Sequence, residues 1–202
     1  GGGVQPARLH AALAAAASAS GVHLREGVRV TRVQRRGAEM IVETSAGSIR
    51  AAHVFAGVNG HADGAFPALQ RRLIPVGSFM IATERLDPEL LAATAGDGEM
   101  RFDTRNFLSY WRPTPDGRIA FGGRTSFWPD SLPRIARTLA ARMRQIHPQL
   151  ASTKVTHAWG GRLSFAFDRL PRITRLDGVT HLSGCAGSGV ALMTLLAEQT
   201  ID

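Results

Sequence analysis

The sequence is poor in the features that support disulfides, membrane insertion or metal binding. Its single cysteine, Cys185, excludes a disulfide within the chain and is typical of a reducing compartment. No apolar run approaches the roughly 20 residues that a membrane-spanning helix needs. The histidines show no metal-ligand spacing such as H-E-x-x-H, and no G-x-S-x-G nucleophile elbow occurs. We therefore expect a cytoplasmic protein without a metal, a membrane segment or a serine-hydrolase triad.

Lysine is also scarce, although the chain is basic. Lys154 is the only lysine, and 24 basic against 16 acidic residues give a formal net charge of +8. The arginines are scattered singly or in pairs, and no basic run alternates with aromatic residues as in nucleic-acid modules. We expect no nucleic-acid partner.

The order of predicted elements indicates that the chain leaves one layer and returns to it. Residues 6–20 are an alanine-rich helix that starts at a proline, and short strands follow at 22–24, 28–33, 40–44 and 53–58. After residue 60, four strand-like runs punctuated by Gly or Pro indicate an antiparallel sheet. They lie at residues 74–84, 100–103, 107–112 and 118–123. An amphipathic helix at 132–146 and strands at 154–159 and 179–183 complete the pattern.

The last segment, residues 180–196, is a short apolar strand, a run of small residues and a helix. Glycine lets the backbone approach a flat or anionic ligand, and a helix N-terminus presents free N–H groups with a partial positive charge. The alternative is that Gly187 and Gly189 only let the helix pack on the sheet.

In this order the segments resemble the D-amino-acid oxidase-like family of FAD-dependent amine and amino-acid oxidases. The resemblance covers essentially the whole chain and is closest to the branch that oxidises gamma-glutamylputrescine and related amines. The matching segments are residues 2–9, 26–33, 54–60, 75–84, 118–124, 159–162, 168–173 and 184–190.

The resemblance implies a mixed α/β and α+β fold, with a partial Rossmann-like FAD layer and an antiparallel-sheet substrate domain carrying packed helices. Residues 1–66 and 163–202 would belong to the FAD layer and residues 67–162 to the substrate domain. FAD would bind non-covalently. Its contacts would be Val30, Ala56, Gly57, Gly184, Gly187, Ser188, Gly189 and Val190.

Tyr110, Arg124 and Arg162 are the residues expected to line the substrate, and no catalytic residue is identified. In the glycine and D-amino-acid branches of the family, an arginine four residues after the motif tryptophan binds the substrate carboxylate. That position is Leu163 here, and an extended strand would direct Arg162 the other way. An amine without an α-carboxylate is therefore favoured. Trp159 is read as core, and Asp168 as an acceptor for loop backbone.

The family begins with a G-x-G-x-x-G strand-turn-helix that cradles the pyrophosphate, and this sequence has none. We expect a piece of a longer oxidase, inactive alone and unable to hold FAD tightly. The implied reaction is hydride transfer from the amine-bearing carbon to flavin, imine hydrolysis and reoxidation by molecular oxygen. Two alternatives stay open: an oxidase of glycine, sarcosine or D-amino acids, and a non-catalytic binding domain on the same scaffold.

Overall fold

The computed structural model describes residues 3–96, 98–127 and 131–200, apart from the side chains of residues 124–127. The described helices are α1 (Pro6–Ala19), α2 (Pro67–Gln70), α3 (Pro88–Ala95), α4 (Leu132–Ile146) and α5 (Gly189–Glu198), with 3₁₀ turns at Asn59–His61 and Pro148–Leu150. The described strands are β1 (Val30–Arg36), β2 (Glu39–Thr44), β3 (Gly47–Ala51), β4 (Val54–Ala56), β5 (Ile74–Thr83), β6 (Arg101–Phe102), β7 (Ser109–Pro113), β8 (Ile119–Phe127), β9 (Val155–Phe165), β10 (Arg172–Leu176) and β11 (Val179–Ser183).

Three sheets organise these strands, and the mixed α and β fold class predicted from the sequence is confirmed. A five-stranded antiparallel sheet has the order β6–β7–β8–β5–β9 and is called the large sheet below. A second sheet has the order β10–β11–β4, and β1, β2 and β3 form a separate antiparallel sheet. Because β4 pairs in parallel with β11, the first and last parts of the chain share a sheet, as expected.

The main core lies between α4 and one face of the large sheet. The apolar stripe of α4 buries Ile135, Leu139 and Met143 against Phe79 and Phe121. Strand β5 alternates buried and half-buried residues from Val76 to Ile81, which is the pattern of a strand with one covered face. The opposite face of the large sheet is only partly covered, and we call it the open face.

Several local predictions need correction. Residues 22–24 form no strand, because Val22 and Leu24 are exposed. The apolar run at β4 predicted a strand covered on both faces, yet Phe55 is 56% exposed. Trp159 is not core: it lies on the open face and is 45% exposed.

Candidate functional site

The parallel pair β4 and β11 brings two glycine-containing strand ends to one edge of a sheet. Ala56 pairs with His181, so Gly57 and Gly184, which follow the two strands, leave the sheet on the same side. Ligands of open α/β sheets bind outside the carboxyl ends of such strands. A Cβ added to Gly57 would meet no atom within 4 Å, so the space beside this strand end is open.

The chain then makes a tight turn into α5. Gly184, Ala186 and Gly187 have φ values of 76°, 50° and 96°, so three of four successive residues are left-handed. The Ser188 N–H donates to the Cys185 carbonyl at 2.8 Å, and no side chain caps the helix. The first-turn N–H groups of α5 therefore stay uncapped next to Val190, which is 62% exposed.

Asn59 joins this turn to β9. Its Oδ1 accepts hydrogen bonds from the Ser164 hydroxyl at 2.6 Å and the Gly184 N–H at 3.1 Å, and its Nδ2 donates to Cys185 Sγ at 3.0 Å. Sequence reasoning missed this residue. Its one local signal is a polar amide that follows the apolar run 53–58, which does not distinguish it from an ordinary loop residue; the left-handed φ of 42° and the three partners emerge only from the structure.

Val30 starts β1, which lies in another sheet but packs close to the same edge. The Arg29 guanidinium donates to Asp63 Oδ2 at 2.9 Å, which ties the start of β1 to the loop after the 3₁₀ turn. Val33 packs against the small core that contains Ala56. The structure thus brings β1 next to the edge formed by β4 and β11.

Two hydroxyl groups meet on the open face of the large sheet. Tyr110 on β7 lies opposite Gly122 on β8, and a Cβ at Gly122 would come within 2.3 Å of the tyrosine ring. The ring therefore lies over the glycine and reaches β5, where its Oη is 2.8 Å from Ser78 Oγ. Tyr110 was expected at the substrate, whereas Ser78 was missed because serine in a strand has no distinctive pattern.

Of the other two expected substrate residues, Arg162 does not join Tyr110. Strand alternation puts Arg162, opposite Gly77, on the face that carries Ser164, and its guanidinium points to the Gly60 carbonyl at 3.5 Å. Leu163 takes the open face instead. The Arg124 side chain lies outside the described residues.

The loop after β9 carries an acid that organises backbone. Asp168 Oδ1 accepts the Leu170 N–H at 3.1 Å, and Oδ2 pairs with Arg172. The Leu170 N–H, followed by the Arg172 guanidinium, lowers the pKa of Asp168. The expected role of Asp168 in holding loop backbone is confirmed.

A cavity of about 290 Å³ opens beside this loop and the carboxyl end of β11. Ser183 lines it with a buried Oγ that has no hydrogen-bond partner among the described residues. Next to it on β11, burial lowers the pKa of His181, which packs edge-on against Phe66. The open space at Gly57 and the uncapped start of α5 fit a bound polar group better than a closed packing interface. None of the expected FAD contacts lines the cavity at Ser183.

No helix in the described ranges is long and apolar enough to cross a membrane. Within the same ranges, no group of three or more His, Cys, Asp or Glu side chains is arranged to hold a metal ion.

The model of the family DAO, FAD dependent oxidoreductase, matches residues 1–202. The chain is 32% identical over 194 residues to the probable oxidoreductase OrdL of Rhizobium meliloti strain 1021, covering 95% of this chain and 44% of that protein. It is 28% identical over 192 residues to gamma-glutamylputrescine oxidoreductase of Escherichia coli K12, covering 94% and 45% respectively. The chain thus spans less than half the length of these relatives.

Solved structures share the fold at lower identity. L-proline dehydrogenase from P. horikoshii superposes with a TM-score of 0.74 at 20% identity, covering 91% of this chain and 51% of that one. Glycine oxidase from Geobacillus kaustophilus gives the same TM-score and identity, with 92% and 50% covered.

Proposed function

Because the chain belongs to the DAO family of FAD-dependent oxidoreductases, we propose that the protein carrying it oxidises an amine whose reacting carbon bears no carboxylate. One observation carries the substrate preference. The open face presents Leu163, and Arg162 lies on the other face of β9, so neither supplies a guanidinium beside Tyr110. The similarity to gamma-glutamylputrescine oxidoreductase supports the same substrate class.

Apart from Val30, the FAD contacts proposed for this chain lie at the edge of β4 and β11 or in the turn that leads from β11 into α5. Ala56, Gly57 and Gly184 leave the sheet there, and the start of α5 follows within the same turn. When bound, FAD supplies the redox chemistry by accepting a hydride from the amine-bearing carbon. The uncapped N–H groups of the first turn of α5, which begins at Gly189, would face its pyrimidine edge, where their partial positive charge favours negative charge. Ser188, between the two glycines, offers a hydroxyl and no imidazole.

The substrate would lie against the open face of the large sheet. The Ser78 and Tyr110 hydroxyls bond to each other at 2.8 Å and keep one proton and further lone pairs for a ligand. They can accept a hydrogen bond from an amine N–H without adding charge to the site. Trp159 and Leu163 give this face an apolar surface for the rest of the amine.

We further propose the division into a cofactor layer of residues 1–66 and 163–202 and a substrate domain of residues 67–162. The pairing of β4 with β11 supports it, and β9 extends past residue 162 as the strand that links the two parts. Molecular oxygen is proposed as the electron acceptor.

The test uses the protein that contains these residues at its full length. Its visible spectrum is expected to show oxidised flavin, and anaerobic addition of gamma-glutamylputrescine or another primary amine should bleach it. Admitting oxygen should restore the colour and release hydrogen peroxide. Bleaching by glycine, sarcosine or D-alanine but by no amine would establish the amino-acid oxidase alternative. A protein that binds no flavin would favour the non-catalytic binding domain.

A further inference from the structure

We infer that Asn59 is a positioning residue that clamps the glycine-rich turn to β9 and so sets where α5 begins. Its amide makes three hydrogen bonds to two other parts of the chain, at Ser164, Gly184 and Cys185. The link to the cofactor rests on the proposed function, whereas the clamp itself stands on contacts within this chain.

The chemistry of the clamp requires an amide. Oδ1 accepts two hydrogen bonds while Nδ2 donates a third, so a carboxylate could supply only the first pair. Ser164 is fully buried and Cys185 is 7% exposed, so water offers few replacement partners. The left-handed φ of 42° at Asn59 is a conformation that Asn and Gly adopt more readily than other residues.

The effect of Asn59 reaches α5 through Cys185. The Cys185 carbonyl accepts the Ser188 N–H at 2.8 Å, which closes the turn before the helix. A Cβ added to Gly189 would lie 3.3 Å from Cys185 Cβ, so the first residue of α5 packs directly on the cysteine. A shift of Cys185 therefore moves the uncapped N–H groups that follow.

A second contact limits the turn from the other side. The Ala186 N–H donates to the Ser164 carbonyl at 3.1 Å, while the Ser164 hydroxyl donates to Asn59. Ser164 thus binds both the turn and the residue that clamps it. Removal of the Asn59 amide leaves the bond between the Ala186 N–H and the Ser164 carbonyl in place.

The experiment separates the side chain from the backbone. Asn59→Gly keeps the left-handed backbone accessible and removes the amide, whereas Asn59→Asp keeps the acceptor and removes the donor to sulfur. Asn106→Gly, at an exposed loop residue, is the matched control. All variants are made in the full-length protein, and thermal melting checks that each is folded.

The first readout is the alkylation rate of Cys185 by N-ethylmaleimide, measured for that residue by peptide mass spectrometry. We expect at least a tenfold increase in Asn59→Gly, a smaller increase in Asn59→Asp and no change in Asn106→Gly. An unchanged rate in both Asn59 variants would overturn the clamp. If Asn59→Gly does not fold, the comparison of Asn59→Asp with the wild type decides the question in the same way.

The second readout is the two-electron reduction potential of the bound flavin. A displaced α5 terminus should stabilise the reduced flavin less. A tenfold decrease in the equilibrium constant for reduction corresponds to a potential lower by about 30 mV. Faster alkylation with an unchanged potential would overturn the connection to the cofactor. Absence of flavin from the wild type would refute the proposed function, and alkylation would still decide the clamp.

Discussion

Replacing Gly122 by alanine should push the Tyr110 ring off the large sheet. The two residues are cross-strand partners, and the new methyl group would lie 2.3 Å from Tyr110 Cε2 and 2.5 Å from Cζ. Ordinary contacts to Cβ atoms are 3.4–4 Å, so the ring has to move by about 1 Å or more. That movement also separates the tyrosine hydroxyl from Ser78 Oγ, 2.8 Å away.

The expected loss of stability combines the cost of overpacking at the ring with the loss of the hydrogen bond between Tyr110 and Ser78. Overpacking typically costs about 1–3 kcal/mol, and a net hydrogen bond contributes about 0.5–1.5 kcal/mol. Tyr110 is only half-buried, so its ring can move outward and its hydroxyl can bind water instead. We therefore expect Gly122→Ala to lower the free energy of unfolding by about 1–2 kcal/mol.

Urea unfolding of Gly122→Ala, Tyr110→Ala and the double variant measures this. Once the ring is removed, the methyl group has nothing to displace, so the double variant should be no less stable than Tyr110→Ala. Gly161→Ala is the control, because a Cβ there, on the same face, meets nothing within 4 Å. If the stability loss of the double variant equalled the sum of the two single losses within about 0.5 kcal/mol, residues 122 and 110 would be acting independently and the proposed clash would be refuted.

Three further predictions follow from other contacts. Gly60→Ala should lower the melting temperature and reduce the free energy of unfolding by about 1–3 kcal/mol. Its Cβ would lie 2.8 Å from the Leu163 backbone, which cannot move aside by changing a rotamer. A melting temperature equal to that of the wild type would contradict this. Burial lowers the pKa of His181 and of His147, so the unfolded chain binds more protons below about pH 6.5. Stability should then fall with decreasing pH by at most about 1.4 kcal/mol per pH unit for each residue. Urea unfolding at pH 8, 6 and 5 tests this, and His181→Gln should flatten the profile. Leu163→Arg should improve kcat/KM for α-amino acids relative to amines in the full-length protein. Arg162→Leu, on the other face, should leave this ratio unchanged. Equal changes of the ratio in the two variants would refute the assignment of faces.

Much of the fold could be predicted from the sequence, because its periodic segments carry strong signals. The amphipathic stripe of α4 and the long apolar strand β5 were predicted within a residue of their observed ends. Strand β10 was missed, since its sequence R-I-T-R-L is short and polar. Helix α3 was also missed, although Asp87 followed by proline is a start signal, and its carboxylate accepts the Leu90 N–H at 2.8 Å.

The candidate site was only half predictable, for a physical reason. Glycines in a strand-turn-helix mark close backbone approach, so the glycine-rich run at residues 184–189 could be identified from the local pattern, whereas Gly57 was expected from the family resemblance. Asn59 and Ser78 could not, because their roles depend on partners more than 30 residues away, such as Tyr110 and Cys185. The reading of Trp159 as core failed because aromatic character does not reveal which face of a sheet is covered.

The substrate preference depends finally on the register of β9. Leu163 pairs with Val76 and Arg162 with Gly77, and a shift of one residue would exchange their faces. The irregularity between β5 and β9 lies at Ala82, so the pairing is continuous through residues 158–165. Independent contacts fix the same register, because Ser164 can reach Asn59 only from the face that also carries Arg162. The clamp at Asn59 and the absence of the Arg162 guanidinium from the open face are therefore two consequences of one strand register. A variant that shifts this register should lose both features together.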